Sequence, residues 1–110
     1  MDRKETGEAA LRGTSGEVSW FLSRDFSCLT FRGRGRTADY GSADETPWFH
    51  SLAKITRVVA EEGVTALGAN CLNGAVSLNT ISLSSTVEMT GVHAFENCSG
   101  LKSVHFPEGL

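Results

Sequence analysis

From Val18 the chain alternates apolar and polar positions with a period of two, the spacing of a half-buried strand. Val18, Trp20 and Leu22 fall on one side, Ser19 and Phe21 on the other. Ser23-Arg24-Asp25 turns the chain, and Leu29-Thr30-Phe31 resumes the alternation, so a β-hairpin over 17–33 is predicted. Residues 33–45 are rich in glycine, serine and charge and read as a loop. Thr46-Pro47-Trp48-Phe49 closes it, the proline fixing the backbone and the aromatics able to anchor the loop on a core. Residues 1–12 are polar apart from Ala9, Ala10 and Leu11 and are expected to be a disordered lead-in.

Beyond Ile55 the chain repeats itself every 23 residues. Ile55, Leu78 and Leu101 align, as do Val58, Ile81 and Val104, then Ala60, Leu83 and Phe106, then Val64, Val87 and Leu110. Gly68 matches Gly91, Cys71 matches Ala94 and Leu72 matches Phe95. Each unit opens like Leu78-Asn79-Thr80-Ile81-Ser82-Leu83, a short strand with its apolar side chains inward. The glycine allows a sharp turn, and a short helical turn around Leu72 or Phe95 is expected to return the chain. One unit cannot cover its own apolar face, so units stack and their strands become a parallel sheet. The expected fold is therefore β-rich (α+β): a solenoid of 23-residue units over 51–110, two units and a partial third, behind an N-terminal hairpin cap and loop over 13–50. Trp20, Leu22, Leu29 and Phe31 are expected to cover the end of the first unit near Ile55 and Val58.

In such strands the outward positions stack into two columns, Arg57, Thr80, Ser103 and Val59, Ser82, His105, which form the candidate binding face. These columns are poor in charge and large aromatics, which predicts weak single-site affinity raised by repetition. The third strand stops short of completing its unit, so self-association through residues 101–110, most simply as a homodimer, is expected.

Composition fits one ordinary globular domain: 110 residues, 40% hydrophobic and 21% charged. A net charge of −3 argues against nucleic acid as partner. No apolar run is long enough for membrane insertion, and the charged start, Met1-Asp2-Arg3-Lys4-Glu5, is no signal peptide.

Several motifs invite chemistry and fall short of it. Gly33-Arg34-Gly35-Arg36-Thr37-Ala38 fits the dinucleotide pattern G-x-G-x-x-A, but Asp39-Tyr40-Gly41-Ser42 begins a loop where the helix would have to start. Arg32, Arg34 and Arg36 stand beside Phe31 as a nucleic-acid grip would, yet Asp39, Asp44 and Glu45 neutralise them. His50, His93 and His105 have no metal spacing among themselves or with Cys28, Cys71 and Cys98. Cys28 and Cys71 read as small buried hydrophobes. Glu61 and Glu62 lack a catalytic partner, and Asn97-Cys98-Ser99, an N-glycosylation pattern, lies in the repeat's own turn. No nucleophile comes with a base, so the residues point away from an enzyme and imply no cofactor or metal.

Gly63-Val64-Thr65-Ala66-Leu67-Gly68, Cys71-Leu72, Val87 to Gly91, and the run from Ala94 to Pro107 resemble the BspA-like class of leucine-rich repeats. Gly13-Thr14-Ser15-Gly16, Val18-Ser19-Trp20, Leu29-Thr30-Phe31, Asp39-Tyr40 and Pro47-Trp48 resemble the hairpin segment that precedes such repeats in bacterial surface proteins. Ser15 stands where the class has cysteine, Leu72 where it has phenylalanine and Cys71 where it has alanine. Thr90 replaces an aliphatic residue, with Met89 expected to take over its burial, and Gly63, Thr86 and Gly109 replace the general repeat's asparagine. The resemblance implies a leucine-rich repeat fold and non-enzymatic recognition of a protein or glycan through the sheet face. It also implies a cell-surface or secreted location, while the lack of a signal peptide in the chain leaves the cytoplasm open. The alternative it implies is a purely structural cap of a longer array, with no ligand of its own.

Overall fold

The computed structural model describes residues 9–101 and 103–105. Three strands come first: β1 (Ala9–Ser15), β2 (Val18–Ser23) and β3 (Cys28–Gly33). The two-residue β4 (Gly35–Arg36) and 3-10 helices at Ala43–Glu45 and Phe49–Lys54 follow. β5 (Arg57–Ala60), β6 (Val64–Leu67), β7 (Thr80–Leu83), β8 (Met89–Thr90) and β9 (Ser103–His105) complete the order.

These strands form two sheets, one ordered β1-β2-β3-β5-β7-β9 and one ordered β4-β6-β8. β2 and β3 are the hairpin read from the alternation, with Trp20 opposite Phe31 and Leu22 opposite Leu29. From β3 onward the large sheet is parallel: Leu29 pairs with Val58, Val58 with Ile81, and Ile81 with Val104. Residues 23 apart thus stand side by side on β5, β7 and β9, which puts their apolar side chains in one inward row wherever the side chains are described. The left-handed backbone positions keep the same spacing: Asn70 and His93 share it, as do Gly74 and Asn97.

Close approach between neighbouring chain segments explains the glycines at 68 and 91. A Cβ on Gly68 would lie 2.0 Å from the Ala38 carbonyl oxygen, and one on Gly91 2.5 Å from the Ala69 nitrogen. Thr37, fully buried, fills the same junction, its hydroxyl accepting from the Gly68 N–H at 2.6 Å and donating to the Ala38 carbonyl.

A single core runs from Val18, Trp20 and Phe31 through Ile55, Val58 and Leu72 to Ile81 and Val87. Trp48 is its hub. The ring is 1% exposed and meets Trp20, Phe31 and Tyr40 edge-on at centroid distances of 5.5, 5.4 and 5.9 Å. Its indole N–H donates to the Cys71 carbonyl at 2.9 Å, tying the loop to the first repeat.

Several expectations need correction. The lead-in is strand from Ala9 onward, because β1 pairs antiparallel with β2 and Gly13 lets the Trp20 indole lie across it. Residues 1–8 lie outside the described ones. The loop after Gly33 contains β4, which pairs parallel with β6. The turns near Leu72 and Phe95 are successive hydrogen-bonded turns rather than helix, bonded sideways through Leu72 N–H to Ala94 C=O and Gly74 N–H to Glu96 C=O. Met89 is 55% exposed, so it does not take over the burial lost at Thr90. Cys28 lies half-buried on the outer side of β3 rather than in the core.

Candidate recognition face

Strand parity and pairing together assemble one outer face. On β5 and β7 the inward residues Val58, Ala60, Ile81 and Leu83 are buried, whereas Arg57 is exposed and Val59, Thr80 and Ser82 are half-buried. Arg57 stands beside Thr80 and Val59 beside Ser82, so the two sequence-derived columns exist as neighbours. Ser103 and His105 continue them by backbone pairing with Thr80 and Ser82; their side chains lie outside what is described.

Sequence reasoning missed that the face does not end at β5. Parallel pairing sets Thr30 beside Val59 and Cys28 beside Arg57, while the antiparallel pairs bring Phe21 to Thr30 and Arg12 to Phe21. A row therefore crosses the sheet as Arg12, Phe21, Thr30, Val59, Ser82. The parity of Phe21 was visible in the alternation, but the β3–β5 pairing that makes it useful was not.

Arg32 organises the middle of this face. Its Nε donates to the Glu61 carboxylate at 2.9 Å, and its guanidinium lies over the Phe21 ring, 4.9 Å from the centroid. Among the described residues no ion pair engages Arg12 or Arg57, both exposed. At one end, Asp25 in the β2–β3 turn accepts from Ser27 and Ser23, and the Ser27 hydroxyl, then that of Ser23, holds its carboxyl below the ordinary carboxylate range.

Elsewhere the candidate chemistry stays dispersed. Gly33 to Arg36 bends at Arg34, between two glycines of positive φ, and runs into β4, with no helix starting there to cradle a phosphate. Arg36 pairs with Asp39 at 2.6 Å. Arg34, Gly35, Glu62, Gly63, Thr65 and Thr86 line an open hollow of about 590 Å³. Burial pushes the Cys71 thiol up to about 12, and burial also raises that of half-buried Cys98. His93 pairs with Glu96 at 2.6 Å, and His50 stacks its edge on Phe49. Among the described residues no three His, Cys, Asp or Glu side chains are grouped to hold a metal.

Thr86, one of the residues that stand where the general repeat has asparagine, joins two neighbouring chain segments. Its hydroxyl accepts from the Gly63 N–H at 3.0 Å and donates to the Val64 carbonyl at 2.9 Å. Gly109 lies outside the described residues.

Comparison with known proteins agrees with this architecture. The family model described as BspA type leucine rich repeat region (6 copies) matches residues 45–110. A leucine-rich repeat protein from Eubacterium ventriosum ATCC 27560, known from a crystal structure, is 26% identical with a TM-score of 0.76. The match covers 86% of this chain and 26% of that one, so the chain spans about a quarter of that protein's length. No curated protein matches the chain.

Proposed function

We propose, since the chain belongs to the BspA-type leucine-rich repeat family, that it is a non-enzymatic recognition or adhesion module of a bacterial surface protein. In this reading the 23-residue units stack as a solenoid, β1–β3 cap its first unit, and a protein or glycan ligand docks on the outer face of the large sheet. The observation that carries the reading is the contrast across that sheet. Val58, Ala60, Ile81 and Leu83 are buried, while Arg57, Val59, Thr80 and Ser82 form an open, small-featured surface on the other side. Equivalent residues recur on neighbouring strands, roughly 4.8 Å apart, so a longer array multiplies weak contacts.

The test uses glycan and peptide arrays probed with the 110-residue chain and with a Thr80→Trp, Ser82→Trp variant. Binding lost in the variant at an unchanged unfolding midpoint supports the reading. Binding that survives there but is abolished by Thr65→Trp on β6 refutes it. A second reading, a purely structural cap with no ligand, is favoured by the direct pairing of β3 with β5. It predicts that no array feature binds the wild-type chain through this face.

A further inference from the structure

The chain is acidic overall, with a net charge of −3, yet its sheet face has the opposite sign. Among the described residues the strands of that face carry Arg12, Arg32 and Arg57, while its two carboxylates are already engaged, Glu61 by Arg32 and Asp25, at the edge, by Ser23 and Ser27. Two of these arginines come from β1 and β3, so neither the repeats nor the strands before them make the patch alone. We infer that β1, β2, β3 and β5 form one cationic docking surface whose partner is an extended acidic polypeptide segment. The inference rests on the recognition reading above and narrows its ligand.

Charge complementarity selects an anionic partner, and three further features select a polypeptide. First, the arginines are sparse. Arg12 and Arg32 lie two strands apart and Arg32 and Arg57 one strand apart but four residues along, so their Cα spacings are roughly 12 and 14 Å. An extended peptide rises about 3.3 Å per residue, so two carboxylates four residues apart match either spacing. A sulfated polysaccharide carries charge more densely and calls for contiguous runs of lysine and arginine. Second, the aromatic ring described on this face, Phe21, is covered by the Arg32 guanidinium at 4.9 Å and is not free to stack on a sugar. Third, between the arginines stand Thr30 and half-buried Val59, which suit the small apolar and backbone surface of a peptide. Stacking on Phe21 and the Nε bond to Glu61 fix the Arg32 plane and leave its terminal nitrogens pointed to no described partner, ready for a carboxylate fork.

The experiment measures fluorescence anisotropy of labelled poly-L-glutamate, heparin and poly-L-lysine against the 110-residue chain, in low and moderate salt. Poly-L-glutamate is expected to bind, more weakly as salt rises, and poly-L-lysine is not. Arg12→Glu and Arg57→Glu should each weaken binding about tenfold or more, whereas Arg34→Glu, the same charge change off this face, should change it less than twofold. All three side chains are exposed, and circular dichroism verifies that the variants fold. Loss equal to that of Arg57→Glu in the Arg34 variant, or no binding of poly-L-glutamate, overturns the inference. Tighter binding of heparin with the same arginine dependence overturns its polypeptide half in favour of a polysaccharide. An uncharged array feature that needs Thr80 and Ser82 but neither Arg12 nor Arg57 overturns the inference and leaves the recognition reading standing. Features bound with no dependence on any of these residues defeat the reading itself.

Discussion

Replacing Trp48 by phenylalanine separates two contributions that the hub of the core combines. The indole is 1% exposed, and its N–H is the donor to the Cys71 carbonyl, to which no backbone N–H among the described residues donates. Leaving a buried carbonyl unpaired costs about 1–3 kcal/mol. Removing two buried ring carbons costs roughly 0.8 kcal/mol each. The expected loss is therefore about 2.6–4.6 kcal/mol, which for a chain of this size lowers the melting midpoint by roughly 11–20 °C. Trp20→Phe is the matched comparison. Trp20 is 6% exposed and no hydrogen bond engages its indole nitrogen among the described residues, so only the apolar part, about 1.5 kcal/mol, should be lost. Urea unfolding followed by far-ultraviolet circular dichroism gives both values on one scale. If Trp20→Phe costs as much as Trp48→Phe, the tie to Cys71 contributes nothing and the loop is held by shape alone.

Three further outcomes follow from the same packing. Thr37→Val keeps the shape but removes the acceptor for the Gly68 N–H, so it should cost about 1–3 kcal/mol by urea unfolding, and a neutral result would place water in that junction. Burial pushes the Cys71 thiol up to about 12, so at pH 8 a thiol reagent should label Cys28 and Cys98 in the native protein and Cys71 only in denaturant; fast native labelling of Cys71 would refute its burial. Among the described residues β9 ends the large sheet, paired with β7 on one side, so light scattering over a concentration series should show the self-association expected through residues 101–110, of which 102 and 106–110 lie outside the described ones; a strictly monomeric chain would refute it.

The hairpin and the repeat were legible because each rests on a local rule. Val18, Trp20, Leu22, Leu29 and Phe31 are all buried, so two-residue alternation marks them without knowledge of their neighbours. The 23-residue spacing is legible because residues 23 apart pair side by side on β5 and β7 and share one buried row. β1 was illegible for the opposite reason. Its sequence, Ala-Ala-Leu-Arg-Gly-Thr-Ser, has Gly13 and Ser15 on the inward side, and those positions are filled by the Trp20 indole and by the Ser15 hydroxyl, which hydrogen-bonds the Tyr40 hydroxyl and accepts from the Ala38 N–H. β4 is two residues long and contains a glycine; it exists through its pairing with β6 and leaves no pattern of its own.

For the candidate face, parity and topology divide the information. Parity sorts each strand's residues into two sides, and the sequence columns of Arg57, Val59, Thr80 and Ser82 come out together as read. Parity is silent on which strands are neighbours. A hairpin laid flat across the end of the repeats would bury Trp20 and Phe31 equally well and would turn Phe21 and Arg32 away from the repeat face. The hairpin instead joins edge-on, through hydrogen bonds between β3 and β5, so every outward residue of β1–β3 falls on the same surface as Val59 and Ser82. That one pairing turns a weakly charged strip into a surface with three arginines, and it does so in a chain whose summed charge points the other way. Net charge bears on the field felt far from the molecule; at contact distance, within a Debye length of about 10 Å, the local arrangement governs which partner is attracted.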